Sequence, residues 1–183
     1  MEPVTSLALE QFLQKLGSRV EVYPGSSGAA RPLALYLLGG SALCLLGSPR
    51  ETLDVDYTLD PESPDVETLI AQVADESKLD LEFVPLAEFI PLPPESEQRR
   101  RFVGRYGQMD VFIFDLYSIA LSKIARGFES DIDDVLFLLA KDLIGFAELE
   151  RLFLMILPDA ARFDILPSEF KAYFEEVRKR VGR

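Results

Sequence analysis

Two aspartates one residue apart, Asp54 and Asp56 in TLDVDYTLD, are the first residues here that could do chemistry. In a strand, residues i and i+2 point the same way. Two carboxylates so placed repel unless something positive lies between them, and a hard divalent cation with oxygen ligands suits that position. Upstream, the apolar run LYLL breaks at Gly39-Gly40-Ser41 and resumes as ALCLL. A strand that ends in glycines and opens a helix presents backbone N–H groups. Glycine lets a phosphate come close to them. The Ser41 hydroxyl adds a donor, and Arg50 and Thr52 stand where they could hold phosphate or the carboxylates. Each feature also has a plain reading: a tight strand–helix turn, and a charged, solvated strand face. Their order and closeness favour a phosphate turn beside a metal-binding pair.

Further carboxylates compete to join them. Asp80 and Glu82 alternate in a later strand-like segment, and Asp110 sits in another. Any of the three could ligate a second metal or take a proton from an attacking hydroxyl, and each could equally be part of an exposed face. In LYSIALSKIARGFESDIDD, Lys123 falls on the apolar stripe of a helix with Leu116, Ile119 and Ala120. A lysine on a buried side needs an anionic partner. Triphosphate oxygens or a nearby carboxylate would serve. Arg126 follows one turn later, and Asp131, Asp133 and Asp134 open the next helix, where acidic side chains also complement the helix dipole. Arg99, Arg100, Arg101 and Arg105, and the tail Arg178, Lys179, Arg180 and Arg183, are basic clusters. They read as solvated charge or as sites for an RNA backbone or acidic partner.

The elements that must position these residues follow from periodicity. Thr5 to Leu16 is an amphipathic helix with Leu9, Phe12, Leu13 and Leu16 on one face, capped by Thr5 or Ser6. Arg19 to Tyr23 alternates weakly, as a short strand would, and Pro24 to Pro32 is a loop. Leu33 to Leu38 is wholly apolar, hence a central strand. Ala42 to Leu46 is a short helix and Thr52 to Thr58 a strand. Ser63-Pro64 opens a helix to about Ser77, and Leu79 to Val84 is a strand. Pro85 to Glu97 is a Pro-rich loop. A hairpin spans Phe102 to Phe114, turning at Gly107-Gln108. Helices follow at Asp115 to Arg126, Ser130 to Leu143, Phe146 to Leu157 and Ser168 to Val181. The expected organisation is a mixed α/β core over residues 1–114 and a helical part over 115–183, packed on the core.

Composition narrows the chemistry. The 183 residues are 48% hydrophobic and include no histidine, which removes every Ser-His-Asp scheme and the commonest metal ligand. Catalysis would rest on carboxylates, Lys, Arg and a metal. A net charge of -12 argues against non-specific nucleic-acid binding over the whole surface. The longest apolar stretch falls short of the roughly 20 residues of a membrane span, so no membrane partner is expected. The opening MEPVTSLALEQF has no basic segment ahead of a hydrophobic one, so a secretory signal is not expected. A single cysteine, Cys44, cannot form an internal disulfide, which fits a reduced cytoplasmic setting.

LGGSALCLLGSPRETLDVDYTL together with LSKIARGFESDIDDVLFLL resembles the minimal nucleotidyltransferases of the polymerase-beta-like superfamily. The first stretch matches the hGG[ST]A…R.T.D[IV]D pattern. The second matches the K..R….D..D segment of AbiEii-like toxins and related uncharacterised nucleotidyltransferase-like families. The resemblance implies an α+β fold with a mixed sheet flanked by helices and a helical C-terminal part. It implies that Gly39, Gly40 and Ser41 hold the triphosphate, that Asp54 and Asp56 bind Mg2+, and that Lys123 contacts phosphate. Asp131 or Asp134 would complete the late motif, with Arg126 beside them. The implied reaction is transfer of NMP from an NTP to a hydroxyl acceptor. RNA as that acceptor, and an antitoxin protein as partner, belong to the AbiEii-like version. The alternative is a non-catalytic nucleotide-binding or protein-interaction module with the same fold.

Overall fold

The computed structural model describes residues 3–20 and 33–182. Of the short strand expected at Arg19 to Tyr23, Arg19 and Val20 are not in a strand and the rest lies outside the described residues, as does the loop from Pro24 to Pro32. The chain divides into two compact units, Met1–Val84 with Arg101–Ile113, and Pro85–Arg100 with Phe114–Arg183. The second unit therefore takes in the Pro-rich segment as well as the C-terminal helices.

The first unit contains α1 (Ser6–Gly17), β1 (Leu33–Leu37), α2 (Gly39–Leu45), β2 (Asp54–Asp60), α3 (Pro64–Ser77), β3 (Asp80–Phe83), β4 (Arg101–Tyr106) and β5 (Met109–Ile113). Local chemistry sets the helix starts. The Thr5 hydroxyl accepts from the Ala8 N–H at 3.1 Å, and the Ser63 hydroxyl accepts from Val66 with Pro64 in the first turn. The five strands form one sheet in the order β3-β2-β1-β5-β4. β1 runs antiparallel to β2 and parallel to β5, β2 runs parallel to β3, and β4 and β5 are an antiparallel hairpin. All of β1 is buried, as its unbroken apolar run requires.

Register sorts the side chains into two faces. Leu35, Leu37, Val55, Tyr57, Val111 and Ile113 share one, all buried. Fully burying a leucine here stabilises the unit by about 1.5–3 kcal/mol. Helix α1 lies on this side: the Tyr106 hydroxyl donates to Glu10 at 2.6 Å, and a Cβ on Gly17 would come within 2.5 Å of Tyr106. Lys15 and Arg19 in turn bind Glu76 of α3 at 2.6 and 2.7 Å, fastening the two helices together. The other face is different in kind. Tyr36 stacks on Phe112 and Phe102 stands edge-on to Phe112, each at 5.4 Å between ring centres. Asp54, Asp56, Asp80 and Glu82 occupy that face on β2 and β3.

The second unit contains α4 (Leu86–Phe89), a 3-10 turn at Ser96–Arg99, α5 (Leu116–Arg126), α6 (Glu129–Ala140), α7 (Phe146–Ile156), a 3-10 segment at Leu157–Phe163 and α8 (Pro167–Val181). Three of these were not expected: α4 inside the Pro-rich stretch, the turn at Ser96–Arg99, and the segment at Leu157–Phe163, whose Pro158 sits at its start where a missing N–H costs nothing. Asp115, read from sequence as the first residue of α5, is instead its cap. It accepts from the N–H groups of Tyr117 and Ser118 and receives two bonds from Arg99 at 2.9 and 2.8 Å. The core of this unit is aromatic, with Phe153 stacked on Phe174 at 4.1 Å and edge-on to Phe170 at 4.8 Å. No helix among the described residues is long and apolar enough to cross a membrane.

Candidate functional site

The glycine turn and the aspartate pair meet at one end of the sheet. Leu38 leaves β1 with its N–H bonded to the Asp56 carbonyl at 2.9 Å, which brings residue 39 against β2. Gly39 then takes φ +55, a left-handed conformation that favours glycine. Space demands it too, because a Cβ on Gly39 would lie 1.8 Å from Asp56 Oδ2. A Cβ on Gly40 would lie 2.6 Å from the Thr52 hydroxyl oxygen. That hydroxyl donates to Asp54 Oδ1 at 2.9 Å. The two glycines are thus the floor against which both carboxylates are set, Asp56 directly and Asp54 through Thr52.

Ser41 is fully buried and its hydroxyl donates back to the Leu38 carbonyl at 3.0 Å, bracing the turn from inside. Arg50 is half-buried in the loop leading to Thr52, its backbone N–H bonded to the Ser48 hydroxyl at 3.2 Å.

Strand register separates the competing carboxylates. Asp80 pairs with Asp54 and Glu82 with Asp56, so β3 places one acid beside each member of the pair on the same face. Asp110 and Asp60 both lie in the row of Ala34, four residues along β1 from Leu38, the position level with Asp56. At about 3.3 Å per residue that is roughly 13 Å away. Arg105 also grips Asp110 with two bonds, at 2.6 and 2.9 Å. Among the described residues, no three His, Cys, Asp or Glu side chains are grouped as they would be to hold a metal ion. Asp54 and Asp56 supply two oxygen donors on one face. This suits Mg2+, which is typically held by one or two carboxylates with waters and substrate phosphates completing the shell.

The late motif forms a self-contained ionic network in the second unit. Lys123 is 1% exposed, and its ammonium lies 3.2 Å from Asp131 and 2.7 Å from Asp134. Arg126 adds a two-pronged bond to Asp131 at 3.0 and 2.7 Å. The four charges cancel, and α5 and α6 are held by them. The anionic partners that a stripe-side lysine requires are therefore carboxylates of its own unit. Asp133 faces outward instead, 3.4 Å from Arg180.

Several arginines of the basic clusters are paired with carboxylates as well. Arg99 binds Asp115 and Arg105 binds Asp110. In the tail, Arg178 pairs with Glu150 and Glu175, and Arg180 with Glu129, Glu176 and Asp133. Arg183 lies outside the described residues. Sequence reading did not find these acid partners, because most of them sit 16 or more residues away.

The model of the family described as "Nucleotidyltransferase of unknown function (DUF6036)" matches residues 26–180, and the chain belongs to that family. Among solved structures, the chain is similar to an antigenic nucleotidyltransferase-like protein from Paracoccidioides brasiliensis, with 20% identity over 74% of this chain and 77% of that one and a TM-score of 0.47. No curated protein matches the chain.

Proposed function

We propose that the first unit binds a nucleoside triphosphate with Mg2+ and transfers its NMP to a hydroxyl acceptor. One observation carries the reading: the Asp56 carboxylate is packed on Gly39, so a phosphate gripped by this turn lies beside the residues suited to a metal. The backbone of Gly39, Gly40 and Ser41 holds the triphosphate, with Arg50 on its approach. Asp54 and Asp56 hold Mg2+, which when bound supplies charge stabilisation at the attacking and leaving oxygens. Glu82, in the row of Asp56, accepts the proton of the attacking hydroxyl, and Asp80 flanks it. The acceptor oxygen bonds to the α-phosphorus, the α–β bridging bond breaks, and pyrophosphate leaves. Lys123, Arg126, Asp131 and Asp134 are assigned to holding α5 and α6 together rather than to phosphate.

The resemblance to AbiEii-like toxins extends the proposal to an RNA acceptor and an antitoxin partner in the cytoplasm. Toxicity on expression, relieved by Asp54→Asn with Asp56→Asn, tests that extension. A second reading is a non-catalytic nucleotide-binding or protein-interaction module. It is favoured by the lack, among the described residues, of a three-acid group arranged for a metal. Calorimetric titration of each NTP with Mg2+ into wild type and the double variant tests the binding step. Label transfer from NTP to total RNA then separates the two readings. Metal-dependent binding lost in the variant supports the site, and absence of binding to the folded wild type sinks it.

A further inference from the structure

Thr52 stands at a junction that neither the glycine turn nor the aspartate pair explains. It is 8% exposed, so its hydroxyl is an internal group rather than a surface donor. That hydroxyl faces the Asp54 carbonyl at 3.3 Å and the Asp54 carboxylate at 2.9 Å, the shorter contact being with the carboxylate. On its other side it sits against the Cα of Gly40, close enough that any side chain there would displace it.

The residue is itself held. Its carbonyl accepts from the Val4 N–H at 2.8 Å, an isolated bridge between the N-terminal segment and the approach to β2. The same segment is fastened to α2: the Ser6 hydroxyl donates to the Cys44 carbonyl at 3.2 Å, and the Cys44 thiol donates to the Val4 carbonyl at 3.6 Å. The segment at Val4 to Ser6 therefore ties the helix after the glycine turn to the residue before the aspartates.

We infer that Thr52 is a positioning residue, which fixes the Asp54 carboxylate for a divalent cation and does not touch the nucleotide. This rests on the metal reading of Asp54 and Asp56 given above. The physical reason is that an exposed aspartate on a strand rotates freely about its side-chain bonds. A buried hydroxyl that donates to one oxygen selects an orientation and leaves the other oxygen for the ion. Loss of such a supporting bond typically costs about 10–100-fold in metal affinity. Gly40 belongs to the same device, because only its bare Cα leaves room for the hydroxyl to reach Asp54.

The test is titration with Mn2+ alone, followed by loss of the free-ion EPR signal, on the full chain. Asp54→Asn with Asp56→Asn defines the aspartate-dependent binding. Thr52→Val keeps the shape and removes the hydroxyl; Thr52→Ser keeps the hydroxyl and removes the methyl. The expected result is about tenfold weaker Mn2+ binding for Thr52→Val and near wild-type binding for Thr52→Ser. Gly40→Ala should mimic Thr52→Val, and the two together should cost no more than either alone, since both act through one contact. Melting curves of each variant control for folding. If Thr52→Val binds Mn2+ as wild type does while the aspartate variant does not, the inference is overturned and the metal reading stands. If wild type and the aspartate variant bind alike, the metal reading fails and takes the inference with it.

Discussion

Asp54 and Asp131 carry the same side chain in two settings that could hardly differ more. Asp54 is exposed at the start of an open strand face, with Asp80 beside it and a threonine hydroxyl as its donor. Asp131 is almost fully buried, bound by Lys123 and by both prongs of Arg126. The first is a carboxylate in water with like charges near it. That arrangement is costly without a cation and tolerable only because solvent screens it. The second has left water altogether, and its desolvation is offset only by cations held in place. Both motifs were candidates for the same nucleotide chemistry. Their surroundings leave the first open to solvent and make the second a tie between α5 and α6.

The sharpest way to break this contrast is Lys123→Met. Removing one partner of a buried ionic network leaves the others uncompensated, at about 3–5 kcal/mol. Urea unfolding should show a midpoint shifted far down, and an unmoved midpoint would mean that the network does not hold α5 to α6. The reciprocal experiment is Asp54→Asn with Asp56→Asn. We expect NTP affinity in Mg2+ to fall by about 100-fold, equivalent to about 2.7 kcal/mol, while the melting temperature stays level or rises as repulsion is relieved. A large drop in melting temperature would instead place these aspartates in the structural class of Asp131.

Gly39→Ala sharpens the contrast further, because it attacks the open site through its backbone. A side chain at φ +55 costs about 1–3 kcal/mol, and the new Cβ would push Asp56 away. Unfolding and NTP titration should fall together, whereas loss of stability alone would separate the turn from the site. The smallest effect concerns an ion pair of the exposed kind. Arg19 and then Lys15 hold Glu76 down to about 2 from an ordinary 4.5. A depressed carboxylate contributes stability above its unfolded value and loses it as the pH falls from about 4.5 towards 2. Glu76→Gln should lower stability slightly at neutral pH, where these exposed pairs contribute in full, and flatten the acid limb within that window, with wild type and variant converging towards pH 2. Chemical-shift titration of the Glu76 carboxyl carbon checks the value directly.

Much of the fold was legible because it is local. The stripe Leu9, Phe12, Leu13 and Leu16 made α1 readable, Ser63-Pro64 marked the start of α3, and the unbroken run at Leu33 identified β1 as central. The Asp54–Asp56 spacing put both acids on one face for the same reason. What was not legible depends on pairing across the chain. Glu82 and Asp110 look alike in sequence, and only the register of β2 with β3 and of β1 with β5 puts one beside Asp56 and the other four rows away. The arginine clusters read as open basic patches because Asp115, Glu150 and Glu129 approach them only after folding.

By itself the sequence determined the main helices and strands, the glycine break before a strand with two aligned aspartates, and the presence of a lysine on the buried side of α5. Those follow from backbone periodicity and from the lack of a side chain on glycine, which act over a few residues. Tertiary structure alone decided which carboxylates keep an open face and which are neutralised. That choice turns on where oppositely charged groups come within about 3 Å, and charge pairing between distant segments leaves no periodic trace in the chain.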